Sequence, residues 1–258
     1  MTRQSYVISH PEYMYINRDK ETLYGCNQDW YLIEWRRRAG CGPVAATNIL
    51  LYLRKKYGVG KIPYENGSVN EVLDAMNDVY LFVRPKRHGL HTVRKFVKGM
   101  CNFGRKYGLS FLYRYIIVPP QEEKRPGLDK IVRFIEEGLS NDVPIAFLNL
   151  DAGDVEEQLS SWHWVTVVGM SRGDSAGSGA PALGLPAHGL PAPGAPAPDE
   201  SEPSGAERPE AIILRYFDQS KNLEVDLGKW LSTTAGGGGF AYFCKPSPRT
   251  APGDRIII

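Results

Sequence analysis

"RRRAGCGPVAATNILLYL", residues 36–53, sets a cysteine between two glycines and follows it with a proline and an apolar run. Val44, Ala45, Ile49, Leu50 and Leu53 recur at the three- and four-residue steps that share one helix face. Pro43 suits a first helical turn, where a missing N–H is no loss, and Gly58 reads as a stop. The spacing therefore predicts a helix with Cys41 at its N-terminus. A thiol in that position meets unpaired backbone N–H groups and the positive end of the helix dipole, and both favour the thiolate. Gly40 and Gly42 predict a tight backbone turn that leaves room for a substrate carbonyl.

A nucleophilic thiol needs a base, and the candidates lie far downstream. "HWVTVVGMS" (163–171) and "AIILRYFDQS" (211–220) are rich in Val, Ile, Tyr and Phe and are bounded by turn formers, so both read as strands. Paired antiparallel, they bring the start of the first beside the end of the second, so His163 comes close to Asp218. The expected register sets His163, Val165 and Val167 against Asp218, Tyr216 and Leu214 on one face. Between the strands, residues 174–209 hold 8 of the 19 prolines and the near-repeat "GLPAHGLPAPGAPAP" (184–198). With few large apolar side chains to bury, this segment reads as a flexible insertion into a single domain spanning 1–258.

Upstream, Ser68 and Glu71 form a capping box ahead of Val69, Val72, Leu73, Met76 and Val79, and predict a second helix. "HTVRKFVKGMCNFGRKYG" (91–108) and "GLDKIVRFIEEGLS" (127–140) read as further helices, and "PIAFLNL" (144–150) and "GFAYFCKP" (239–246) as strands. The glycines 236–239 read as a flexible turn. Helices come first and strands later, which predicts an α+β fold.

Composition narrows the function. The 258 residues are 42% hydrophobic, enough for a substantial core. A net charge of +2 gives no reason to expect nucleic acid or a membrane as partner. No apolar run approaches the ~18 residues of a membrane helix, and the start lacks a leader pattern, so the chain reads as cytoplasmic. The four cysteines Cys26, Cys41, Cys101 and Cys244 contain no CxxC pair, so neither a disulfide framework, a metal site nor a cofactor is expected.

The set Cys41, His163 and Asp218 has the chemistry of acyl transfer. The thiol attacks, the imidazole holds its proton and delivers it to the leaving amine, and the carboxylate fixes the ring tautomer. An oxyanion also needs donors; the Cys41 N–H supplies one, and Gln28, in the preceding segment, is the candidate for a side-chain amide. "NQDW" (27–30), "AGCGPVAATNILLYL" (39–53), "HWVTVVG" (163–169) and "YFDQS" (216–220) together resemble the papain-like cysteine peptidases, most closely their C39-like branch. The resemblance covers roughly a third of the chain. It implies a helical N-terminal lobe and an antiparallel sheet lobe with the active-site cleft between them. It also implies Gln28 as oxyanion donor, Cys41 as nucleophile, His163 as general base and Asp218 as its orienting partner. Gln28 stands farther from Cys41 than that family usually places it.

The expected activity is hydrolysis of a peptide or isopeptide bond in a peptide or protein substrate. Two alternatives stand beside it: an amidase or acyltransferase resolved by an amine, and a non-catalytic module that holds a peptide in the same cleft. The basic runs "WRRRAG" (35–40) and "RPKRHG" (84–89) read either as solvated charge or as a surface that steers an acidic substrate.

Overall fold

The computed structural model describes residues 4–59, 67–173 and 211–248. In chain order its elements are β1 (Ser5–Val7), a hairpin of β2 (Tyr15–Arg18) and β3 (Glu21–Tyr24), and the helices α1 (Glu34–Ala39), α2 (Cys41–Tyr57), α3 (Val69–Phe82) and α4 (Val93–Lys106). Then come β4 (Leu109–Val118), α5 (Leu128–Ser140), β5 (Ile145–Asn149), β6 (His163–Gly173), β7 (Ala211–Asp218), β8 (Lys221–Asp226), α6 (Leu227–Thr233) and β9 (Gly238–Pro248). The fold is a mixture of helices and antiparallel sheet. Six strands run in the order β4-β9-β5-β6-β7-β8, and β1 adds to β6. The proline-rich stretch 174–209 lies outside the described residues.

The expected helices form, and their ends have the expected chemistry. Ser68 caps α3 by accepting from Glu71 N–H, while the Glu71 carboxylate accepts from Ser68 N–H at 2.7 Å. Gly58 closes α2 in the left-handed region at φ +60, where a side chain would be strained.

The surroundings of α2 differ from the expected single stripe. Every residue from Gly42 to Leu53 is buried, because α2 lies between two cores. Ala45, Ala46, Ile49, Leu50 and Leu53 join the large core against the sheet. Val44 and Leu51 face a smaller core with Ile16 and Leu23 of the β2–β3 hairpin and Val72, Met76 and Tyr80 of α3. A helix covered on both sides has no need of a polar face, which is why its periodicity marks only part of its buried surface.

Seven elements carry no expectation from the sequence: β1, β2, β3, α1, β4, β8 and α6. α1 takes up "EWRRRA", where the charge obscures the helix, and β1 is only three residues long. β4 is an edge strand whose Leu112, Tyr113, Tyr115 and Ile117 are exposed, so its pattern lacks the alternation that signals a half-buried strand. The glycine run also departs from a plain turn. Gly238 has φ +153 and already belongs to β9, and a Cβ there would sit 1.9 Å from the Leu148 carbonyl oxygen. Glycine is what lets β9 lie close against β5.

Candidate active site

Cys41 begins α2, and the helix that delivers it is set by two close packings. Gly40 lies under the Tyr31 ring, where a Cβ would stand 2.7 Å from Cε2, and Gly42 lies under Leu90, where a Cβ would stand 2.7 Å from Cδ2. Neither glycine has positive φ; Gly40 is helical at φ −84. At Gly42 smallness admits a neighbouring side chain, whereas at Gly40 it first admits the Arg36 carbonyl oxygen, 2.3 Å from where a Cβ would stand, so close backbone approach at the α1–α2 junction is part of the reason for that glycine. α1 runs up to Gly40, so the residues before Cys41 are themselves helical.

His163 begins β6 opposite Asn149 of β5. The strands β6 and β7 pair antiparallel as expected, but in a different register. Val167 stands opposite Tyr216 and Thr166 opposite Phe217, with a bulge between Val167 and Gly169. Continued one step, that register places Asp218 across from Val165, two residues along the same face from His163. A diagonal neighbour at that spacing is within reach of long side chains. The Asp218 carboxylate indeed accepts from His163, with Nε2 to Oδ1 at 2.7 Å, across 55 residues of sequence. The bulge changes the facing of residues beyond Val167 and leaves this end of the pair intact.

With Nε2 taken by Asp218, the second ring nitrogen remains for the hydrogen bond between His163 and Cys41. Both partners affect the ring's charge. Burial alone favours the neutral imidazole, but the hydrogen bonds to Asp218 and Cys41 and the charge of both outweigh it, raising the His163 pKa from 6.5 to about 10. The ring is therefore an imidazolium at neutral pH. The other thiols are dominated by burial, even where Arg105 lies near Cys101 and Lys56 and Arg114 lie near Cys244. Cys26 is fully buried, and burial pushes its pKa far up; burial also raises those of Cys101 and Cys244. All four cysteines are free.

Gln28 opens a short 3-10 turn, Gln28–Trp30, capped by the Asn27 side chain accepting from Asp29 N–H at 2.8 Å. It is held beside the end of β7: Gln28 N–H donates to Gln219 Oε1 at 3.2 Å, and Asn27 Nδ2 donates to the Gln219 carbonyl at 3.4 Å. The Gln28 side-chain oxygen is buried and makes no hydrogen bond among the described residues. Gln28 thus reaches the same end of the fold as Asp218, and the unfilled position on its amide is an acceptor oxygen.

Two features of this arrangement are hidden in the sequence. The first is the turn Gln219–Ser220 between β7 and β8, both residues of which lie in the left-handed region, at φ 46 and φ 65. Two-residue hairpins of type I′ need positive φ at both positions and usually use Asn-Gly; here ordinary side chains carry the strain. Four hydrogen bonds clamp the turn to residues 24–28: the two from Gln219 just described, Tyr24 N–H to the Ser220 carbonyl, and Ser220 Oγ to the Gly25 carbonyl. The second is Asn48 inside α2, which accepts from Cys26 N–H at 2.9 Å and donates to Thr166 Oγ1 at 3.1 Å. It ties the Gln28 segment, the Cys41 helix and the His163 strand together. A buried Asn amid apolar helix residues was the available signal.

Among the described residues no group of His, Cys, Asp and Glu side chains could hold a metal ion, and no helix is long and apolar enough to cross a membrane. Compared with known proteins, the chain matches no family model and no curated sequence.

Proposed function

We propose that the chain is a cysteine-dependent hydrolase of peptide or isopeptide bonds, with a papain-like arrangement of the kind its motifs resemble. The observation that carries this reading is the 2.7 Å hydrogen bond from His163 to Asp218, with Cys41 close enough to bias the charge of the same ring, the three being brought together from a helix start and two strand ends. A module that only held a peptide would have no use for all three groups in contact.

In this reading the Cys41 proton rests on His163, and the sulfur attacks the substrate carbonyl carbon. A C–S bond forms and the carbonyl oxygen becomes an oxyanion, received by N–H groups at the start of α2 and by the Gln28 amide. The intermediate collapses, the C–N bond breaks, and His163 hands its proton to the leaving amine. Water, deprotonated by His163, then cleaves the thioester and returns the sulfur to its starting state. Asp218 holds Nε2 and keeps the ring aimed at the sulfur.

The test needs no substrate at first. Alkylation of the four cysteines is followed by peptide mass spectrometry from about pH 5 to about pH 9, in the wild type and in His163→Ala. The expected result is that Cys41 alone reacts fast below neutrality and slows at least ~tenfold in the variant, because the imidazolium no longer stabilises the thiolate. Equal rates at Cys41 and Cys26, or indifference to His163, would sink the proposal. Cleavage of a general peptide mixture, abolished by Cys41→Ala, then distinguishes hydrolysis from mere reactivity.

A further inference from the structure

The two basic runs of this chain meet different fates. In the first, every arginine is spoken for: Arg36 donates to Asn77 Oδ1 and covers the Tyr80 ring, Arg37 donates to the Tyr31 and Leu32 carbonyls, and Arg38 pairs with Glu34. In the second, Arg84, Lys86 and Arg87 are exposed, and their side chains make no ion pair or hydrogen bond among the described residues. These three, with Pro85 and Trp35, line an open groove of about 470 Å³, within the range of ligand-sized sites. Trp35 is 45% exposed there, and Leu32 and Ile33 beside it are 86% and 53% exposed.

Both parts of the groove lining are anchored to the proposed catalytic residues. Trp35 lies on α1, which runs directly into Gly40 and Cys41. The rest of the lining comes from the turn closed by the reciprocal hydrogen bonds of Lys86 and Gly89, which leads into Leu90. Leu90 packs on Gly42, and its carbonyl accepts from Nε1 of Trp164, the neighbour of His163, at 2.6 Å.

We infer that this groove binds acidic side chains of the peptide substrate, with Arg84, Lys86 and Arg87 meeting the carboxylates and Trp35 packing against the peptide's apolar atoms. The inference rests on the hydrolase reading for the word substrate and deepens it by naming the substrate class. Three unpaired cations around an indole suit an anionic, extended chain, and the groove is too open to select by shape alone.

The experiment measures fluorescence anisotropy of a labelled Glu-rich peptide on the full chain carrying Cys41→Ala, against the same peptide with Gln in place of Glu. The Glu peptide binds, the Gln peptide binds at least ~tenfold more weakly, and added salt narrows the difference. The combined Arg84→Ala, Lys86→Ala and Arg87→Ala variant loses about tenfold in affinity for the Glu peptide, and the single reversal Lys86→Glu loses a smaller factor in the same direction. Equal binding of the two peptides, no binding of either, unchanged affinity in both variants, or tighter binding of a single-stranded oligonucleotide than of the Glu peptide would each overturn it. Cys41 alkylation in the wild type is read in parallel. If that fails to depend on His163 while Glu-peptide binding behaves as expected, the hydrolase reading falls and the acidic-peptide groove stands.

Discussion

The two sides of the candidate site are positioned by different physics. Cys41 is placed by packing: α2 is buried along most of its length, and the glycines flanking the thiol let Tyr31 and Leu90 press against the helix start. His163 and Asp218 are placed by polar contacts, through a diagonal pair across two strands and a strained turn clamped to the N-terminal segment. Packing fixes where an atom sits, and the polar network fixes which atom holds the proton. Variants on the two sides should therefore fail in different ways.

The largest effect belongs to Asp218. In Asp218→Asn the amide keeps the shape but not the charge that holds the proton on His163. The expected loss in kcat is about a hundredfold or more, with peptide cleavage as the readout. The pH profile is the sharper measurement. The imidazolium is lost as pH rises through its folded pKa, so the alkaline limb of activity, near pH 10 in the wild type, moves down toward 6.5 in the variant. Stability follows the same sign. A raised histidine pKa contributes stability fully present below 6.5 and lost as pH rises toward about 10, and the variant flattens that slope. An alkaline limb unmoved by the substitution would break the comparison, because the proton would then not be under Asp218's control.

Gly40→Ala probes the packing side. Its Cβ would stand 2.3 Å from the Arg36 carbonyl oxygen and 2.7 Å from the Tyr31 ring, and Tyr31 has little room to yield: it is 1% exposed, and its hydroxyl donates to the Met76 carbonyl. Relief has to come from the backbone next to Cys41. The expected cost is about 1–3 kcal/mol in denaturant unfolding, together with a fall in kcat of about tenfold from misplacement of the sulfur. The alkaline limb should stay where it is in the wild type. A shift of that limb in Gly40→Ala would show that the two sides do not act separately.

Much of this was legible in the sequence, and what was not has definite physical reasons. The thiol at a helix start, the histidine and aspartate at strand ends, and the capping box before α3 rest on local rules, and each stands where those rules put it. The register of β6 against β7 was two residues off, because the diagonal contact between His163 and Asp218 carries no local signature, and neither does the bulge beyond Val167. The two basic runs look alike in sequence, yet one is consumed by Asn77, Tyr80, Glu34 and backbone carbonyls while the other makes no ion pair or side-chain hydrogen bond among the described residues. Partners that lie tens of residues away decide which charges remain for a ligand. The Gln219–Ser220 turn was invisible for a related reason, since neither residue favours positive φ by itself.

That turn supplies the smallest and most discriminating prediction. Gln219→Ala removes the oxygen that accepts from Gln28 N–H and leaves the backbone clamp from Asn27 and Tyr24 in place. The expected loss of stability is about 1 kcal/mol, the worth of one partly buried hydrogen bond. If Gln28 supplies an oxyanion donor, freeing its segment lowers kcat several-fold, while Cys41 alkylation keeps its rate and its dependence on His163. Alkylation of the resting thiol forms no oxyanion, so it is blind to that donor. A matched fall in both rates would mean that the turn acts on Asp218 and His163 instead, and the oxyanion role would pass from Gln28 to the backbone N–H groups at the start of α2.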